Sequence, residues 1–152
     1  MTRRLLVLLA AGGSAALLAG AFAFQYLGDL YPCTLCLWQR WPHAAAVLIG
    51  ALALAFGGRF LPVLGGLAAA TSAGIALFHT GVERAWWEGL ASCNAGSIAG
   101  LTMDELLNPN VTVAAPIRCD AVAWEMLGLS MASWNGLASI ALAALWLLAA
   151  RR

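Results

Sequence analysis

Lysine is absent from this chain, and its 152 residues carry only eight arginines and seven acidic side chains. So little charge cannot cover the surface of a soluble domain of this size, which must present polar groups to water. A net charge of +1 with no long basic run excludes the electrostatic footprint of a nucleic-acid binder. The length leaves room for one compact domain, residues 1–152, and no more.

What fills the chain is apolar: 62% of residues are hydrophobic. An all-α integral membrane protein is expected. Leu5–Tyr26, Phe60–Phe78 and Leu129–Ala150 are each long enough to cross a hydrocarbon core of ~30 Å, which takes about 20 helical residues. Ala44–Phe56 is too short, reaching only about 20 Å at ~1.5 Å per residue. It completes a fourth span only by borrowing residues before it, which places 35–43 at headgroup depth or deeper. The expected architecture is a four-helix transmembrane bundle with spans near 5–26, 36–56, 60–78 and 129–150. Two outer loops remain, near 27–35 and 79–128.

Charge sorts across these spans. Arg3, Arg4, Arg59, Arg151 and Arg152 fall on one side, and all seven acids fall on the other with Arg40, Arg84 and Arg118. The positive-inside rule puts both termini in the cytoplasm and both cysteine-bearing loops outside. Tyr31, Trp38, Trp41, Trp86, Trp87, Trp124 and Trp134 gather at the outer interface, leaving Trp146 near the inner one. Arg3-Arg4, the first apolar run and Ala21-Phe22-Ala23 also resemble a secretory signal. The run exceeds a usual signal core, however, and its removal would leave an odd number of spans.

Gly57-Gly58-Arg59 makes spans two and three a hairpin. Gly65, Gly66, Ala70 and Gly74 offer a small-residue surface for close helix packing. In the long loop, Thr102-Met103-Asp104-Glu105 has the form of a capping box ahead of a short interfacial helix ending at Asn108-Pro109-Asn110.

The chemistry resides in the cysteines: Cys33 and Cys36 in one outer loop, Cys93 and Cys119 in the other. Three pairings are possible. Two structural disulfides are one reading, although a Cys-x-x-Cys ring closes too small a loop to stabilise much. A four-cysteine zinc site is a second, opposed by the 26-residue separation of Cys93 and Cys119. Haem attachment fails because Leu37, not histidine, follows Cys36. A redox relay in which both pairs cycle is the third. Pro32 and the following apolar run set the first pair at a helix start, where backbone N–H groups favour a thiolate. Arg40, four residues beyond Cys36, would share its face of a helix. Pro42 threatens to break that helix, and an arginine at this depth can also simply reach for the interface.

Pro32-Cys33-x-x-Cys36-Leu37-Trp38-Gln39-Arg40, the His79 region, and Cys119-Asp120 with Trp124, Leu127-Gly128-Leu129 and Trp134 together resemble the disulfide bond formation protein B (DsbB) family over nearly the whole chain. The resemblance implies a bacterial inner-membrane oxidoreductase. It would reoxidise a periplasmic DsbA-like thiol oxidase and pass electrons to a membrane quinone, ubiquinone or menaquinone. Carried over, Cys93 would form the mixed disulfide with the partner, Cys119 would be its mate, and Cys33 would exchange with Cys119. Cys36 would face the quinone as a thiolate, with Arg40 supporting the ring and His79 near the same site. Gln39 departs from the acid found in some members, and His43 is left structural. Glu83, Arg84, Trp86 and Trp87 are read as belt and loop. Two rivals stand beside this reading. One is a non-catalytic scaffold with two structural disulfides. The other is a vitamin-K-epoxide-reductase-like enzyme, which would carry its Cys-x-x-Cys later in the bundle.

Overall fold

The computed structural model describes residues 1–94 and 117–152. Four long helices form a bundle: α1 (Arg3–Tyr26), α2 (Thr34–Phe56), α3 (Phe60–Glu83) and, after two short elements, α5 (Met131–Arg151). Between them lie the single turn α4 (Ala91–Asn94) and a hairpin of β1 (Glu125–Met126) and β2 (Leu129–Ser130). α1, α3 and α5 are long and apolar enough to cross a membrane. The expected interfacial helix near Thr102–Glu105 lies outside the described residues.

Local sequence explains the boundaries. Thr2, Cys33 and Ser130 cap α1, α2 and α5 with side chains that accept a backbone N–H from the first turn. Gly57 and Gly58, at φ of 70° and 84°, make the tight turn into α3, a backbone conformation that disfavours a Cβ. Leu127 and Gly128, at 54° and 75°, close the small hairpin as a two-residue turn with both central residues left-handed. That hairpin takes Leu129 and Ser130, so the last helix starts at Met131, two residues later than the apolar run suggests. α2 runs unbroken through Pro42, contrary to the expected break. Pro42 lies toward the polar end of the bundle, between Gln39 and His43, and Ser72 donates to the Gln39 carbonyl nearby.

The bundle is apolar outside and carries polar groups within. Leu8, Leu48, Phe56, Phe60, Leu67 and Ile140 are exposed, whereas Ser14, Gln39, His43, Ser72, His79 and Ser139 are buried. This inversion suits lipid, where outward leucine costs nothing and interior polar groups satisfy one another. At one end Leu6, Val7, Ala10, Ala53, Ala69, Leu142, Trp146 and Ala149 form a dry cluster. Trp146, expected near the inner surface, is fully buried there, its ring packed on Gly65 and its Cβ against Gly66. Of the small residues expected to line a helix interface, Gly65 and Gly66 do so. Gly74 meets nothing within 4 Å, and Ala70 is exposed. α1 is an integral wall of the bundle, with Leu6, Val7, Ala10 and Ser14 buried against its neighbours.

Candidate functional site

At the opposite end all four cysteines converge. Cys33, Cys93 and Cys119 are buried in one cluster with Leu35 and Val82, and Cys36 packs against it. Cys93 and Cys119 are joined in a disulfide, and Cys33 and Cys36 are free thiols. The outer pair was expected in a water-reachable loop. Instead Cys93 is 1% exposed and Cys119 is fully buried. The single turn α4 carries Cys93 inward, held by Thr34 donating to Ser92 O at 3.2 Å and by Cys119 N–H donating to Cys93 O at 3.4 Å.

Cys33 occupies the N-cap of α2, so the helix start and the thiol are one feature. Its sulfur accepts the Cys36 N–H at 3.3 Å and lies 2.9 Å from the Cys36 sulfur, close enough for one S–H to be shared. His79 Nε2 stands 3.6 Å away. The shared Cys36 S–H is the main influence lowering the Cys33 thiol well below its ordinary range; burial opposes this, and His79 reinforces it.

α3 extends one turn past Phe78, so His79 lies inside a helix and is buried rather than sitting at a span end. Its Nε2 touches both cysteine pairs: besides Cys33, it donates to the Cys119 carbonyl at 3.1 Å. The extra turn also delivers Glu83, given no role in the sequence reading, to within 3.8 Å of His79 Nε2. Ser130 donates to its carboxylate. The i,i+4 spacing of His79 and Glu83 was the signal available for it.

Cys33 and Cys36 open onto a cavity of about 370 Å³ whose mostly apolar walls come from α1, α5 and the segments before α2 and β1, with Arg40, His79 and Glu83 also lining it. Arg40 shares that lining with Cys36, as their spacing predicts. α1 holds its guanidinium: Arg40 donates to Gln25 Oε1 at 2.6 Å and to Ala21 O at 3.2 Å, and lies over the Phe22 ring at 4.9 Å. The Cys33, Cys36 and His79 donor atoms lie within 4.8 Å of one another. They differ from the four-cysteine set considered above, and His79 presents an N–H there rather than a free lone pair. His43, left structural, is buried and bonded to Ser14, Ser72, Asn135 and Ser139.

Comparison with known proteins follows the same lines. The family model described as "Disulfide bond formation protein DsbB" matches residues 3–149. A protein named disulfide bond formation protein B from Azoarcus sp. (strain BH72) is 32% identical, covering 99% of this chain and 95% of its own length. One of the same name from Xanthomonas euvesicatoria pv. vesicatoria (strain 85-10) is 34% identical over 88% of this chain and 81% of its own. No solved structure matches the chain. A membrane-embedded bundle with two cysteine pairs meeting at one end, matched from end to end by this family's model, is a member of the DsbB family of disulfide-forming oxidoreductases.

Proposed function

We propose that this protein takes electrons from a soluble, periplasmic DsbA-like thiol oxidase and delivers them to a membrane quinone. On this reading α2 is a fourth span, both termini are cytoplasmic, and the cysteine end faces the periplasm. One observation carries the proposal: both cysteine pairs pack in one buried cluster, and His79 Nε2 reaches each of them.

Chemistry follows from this arrangement. Cys93–Cys119 accepts two electrons when the partner's dithiol attacks the Cys93 sulfur and leaves as a disulfide. Because Cys93 is buried, that attack requires α4 to move outward first. The Cys119 thiolate then attacks Cys33 of an oxidised Cys33–Cys36 pair, forming a Cys119–Cys33 mixed disulfide and releasing Cys36; the Cys93 thiolate next attacks Cys119, restoring Cys93–Cys119 and releasing Cys33. Atoms balance, and two electrons have moved inward by one disulfide.

The cavity fits a quinone head. Its apolar walls suit a planar ring, and Arg40 uses two of five N–H donors on Gln25 and Ala21, leaving others for a carbonyl oxygen. A bound quinone supplies an acceptor for two electrons and two protons. Cys36 lines the cavity as the exit thiol, Arg40 would hold the acceptor oxygen, and the apolar walls exclude water.

Purified protein mixed with a reduced DsbA-like oxidase and quinone should consume one quinone per partner disulfide formed. Cys36→Ser should reduce that turnover to background. A non-catalytic scaffold is favoured only by the burial of Cys93–Cys119, as in a structural disulfide. Absence of quinone consumption by the unaltered protein would establish that alternative.

A further inference from the structure

Beneath the thiol pair, buried and half-buried polar side chains from all four long helices form one connected hydrogen-bonded series, and the orientation of its two amides sets the direction of its links. Asn135, on α5, holds the centre. Its Oδ1 lies 3.0 Å from His43 Nε2, and its amide N–H groups donate to Gln39 Oε1 at 2.7 Å and to Ser72 Oγ at 3.2 Å. Gln39 has then spent its oxygen on Asn135 and turns its amide nitrogen to His79 Nδ1 at 3.0 Å. An amide nitrogen only donates, so His79 Nδ1 can only accept. The proton of the neutral ring must therefore sit on Nε2, the atom 3.6 Å from Cys33 Sγ and 3.1 Å from Cys119 O. At the other end His43 obeys the same logic. Its Nε2–H faces Asn135 Oδ1, and its Nδ1 accepts from Ser14 at 3.3 Å.

We propose that Gln39 and Asn135 are positioning residues that fix the tautomer of His79, presenting a permanent N–H donor to Cys33 without charging the ring. The imidazole is thereby a hydrogen-bond donor to the thiolate rather than a base competing for its proton. The inference rests on the redox reading of the site, but the proton's location can be read without any turnover.

The ionisable groups facing Cys33 are Cys36 from its own helix and His79 and Glu83 from α3. Arg40 lines the same cavity but is held by Gln25 and Ala21, and Arg118, beside Cys119, is paired with Asp120.

The chain has two histidines, so ¹⁵N-histidine labelling of the reduced full-length protein in detergent gives two ring systems to assign. His79 should show the Nε2-protonated neutral pattern; an Nδ1-protonated ring would overturn the proposal, whatever the protein does with quinone. Two near-isosteric variants give opposite signs. Asn135→Asp cannot donate to Gln39, so the Gln39 amide reverses and the His79 proton moves to Nδ1. Thiolate absorbance at 240 nm should then titrate about one pH unit higher than in the unaltered protein. Gln39→Glu still accepts from Asn135 but draws a second proton onto Nδ1 while Nε2 keeps its own. The thiolate midpoint should fall. Midpoints moving in the same direction, or not at all in folded variants, would refute the assigned order. Failed quinone turnover with these shifts intact would refute the redox reading and leave the tautomer assignment standing.

Discussion

Three donors converge on the sulfur of Cys33: the backbone N–H of Cys36, the shared S–H of Cys36 and the imidazole of His79. A thiol depressed in the folded state below its unfolded value near 9.0 links stability to pH. The contribution is fully present above the unfolded value and declines as pH falls toward the folded one. Reduced protein compared with Cys33→Ala should therefore lose its stability advantage between about pH 9 and pH 5, measured by denaturant unfolding in detergent; a difference constant across that range would contradict the assignment. Arg40 yields a separate test. Removing a charged donor that meets an acceptor oxygen costs about 1.5–3 kcal/mol. Arg40→Ala should raise the half-saturating quinone concentration roughly ten- to a hundred-fold, with disulfide exchange with the partner unchanged. At this scale the sequence disclosed where the first thiol pair sits, because Cys-x-x-Cys after proline at a helix start is a local pattern. It could not disclose Glu83, His43 or Asn135 as members of one polar network. Their meeting depends on how three helices rotate, and a lone asparagine in an apolar run carries no sign of what it will face.

Helix packing here turns on one large ring against missing side chains. A Cβ on Gly65 would sit 2.6 Å from the Trp146 ring. Gly65→Ala should cost about 1–3 kcal/mol through overpacking. Gly74→Ala, with open space around it, should gain up to about 1 kcal/mol from helix propensity. Thermal unfolding in one detergent would compare the two, and equal effects would mean that Trp146 does not govern the α3–α5 contact. Apolar run length located α1, α3 and α5, since that signal is written along a single segment, whereas α2 needed the residues before Ala44 to reach its full length. It erred at the ends, where tertiary partners decide. α3 continues to Glu83 because His79, Val82 and Glu83 find buried neighbours, and α5 begins late because Leu129 and Ser130 pair with β1. Pro42 misled for a related reason: propensity rules describe a helix in water, and proline is tolerated inside helices packed in an apolar bundle.

The molecule as a whole is divided along its length. Polar groups, thiols and the cavity occupy one half, and the series Gln39, Asn135, His43 and Ser14 descends from His79 into the middle. Below Ser14 the dry cluster around Val7, Ala69, Leu142 and Trp146 takes over. Composition announced an embedded bundle, and charge asymmetry suggested its orientation. The internal gradient from wet to dry was not legible, because serine, alanine and glycine in a span look alike whether they face lipid or one another.

That dry end has a bioenergetic consequence. A hydrogen-bonded series that stops short of the second membrane face offers protons an entrance but no exit. Vesicles reconstituted with this protein should keep an imposed pH difference as long as protein-free ones, both at rest and during turnover. Faster decay would reveal a continuous wire through the cluster. With that barrier intact, protons would enter and leave the site from the cysteine end alone, and disulfide formation on the proposed reading would not discharge the membrane.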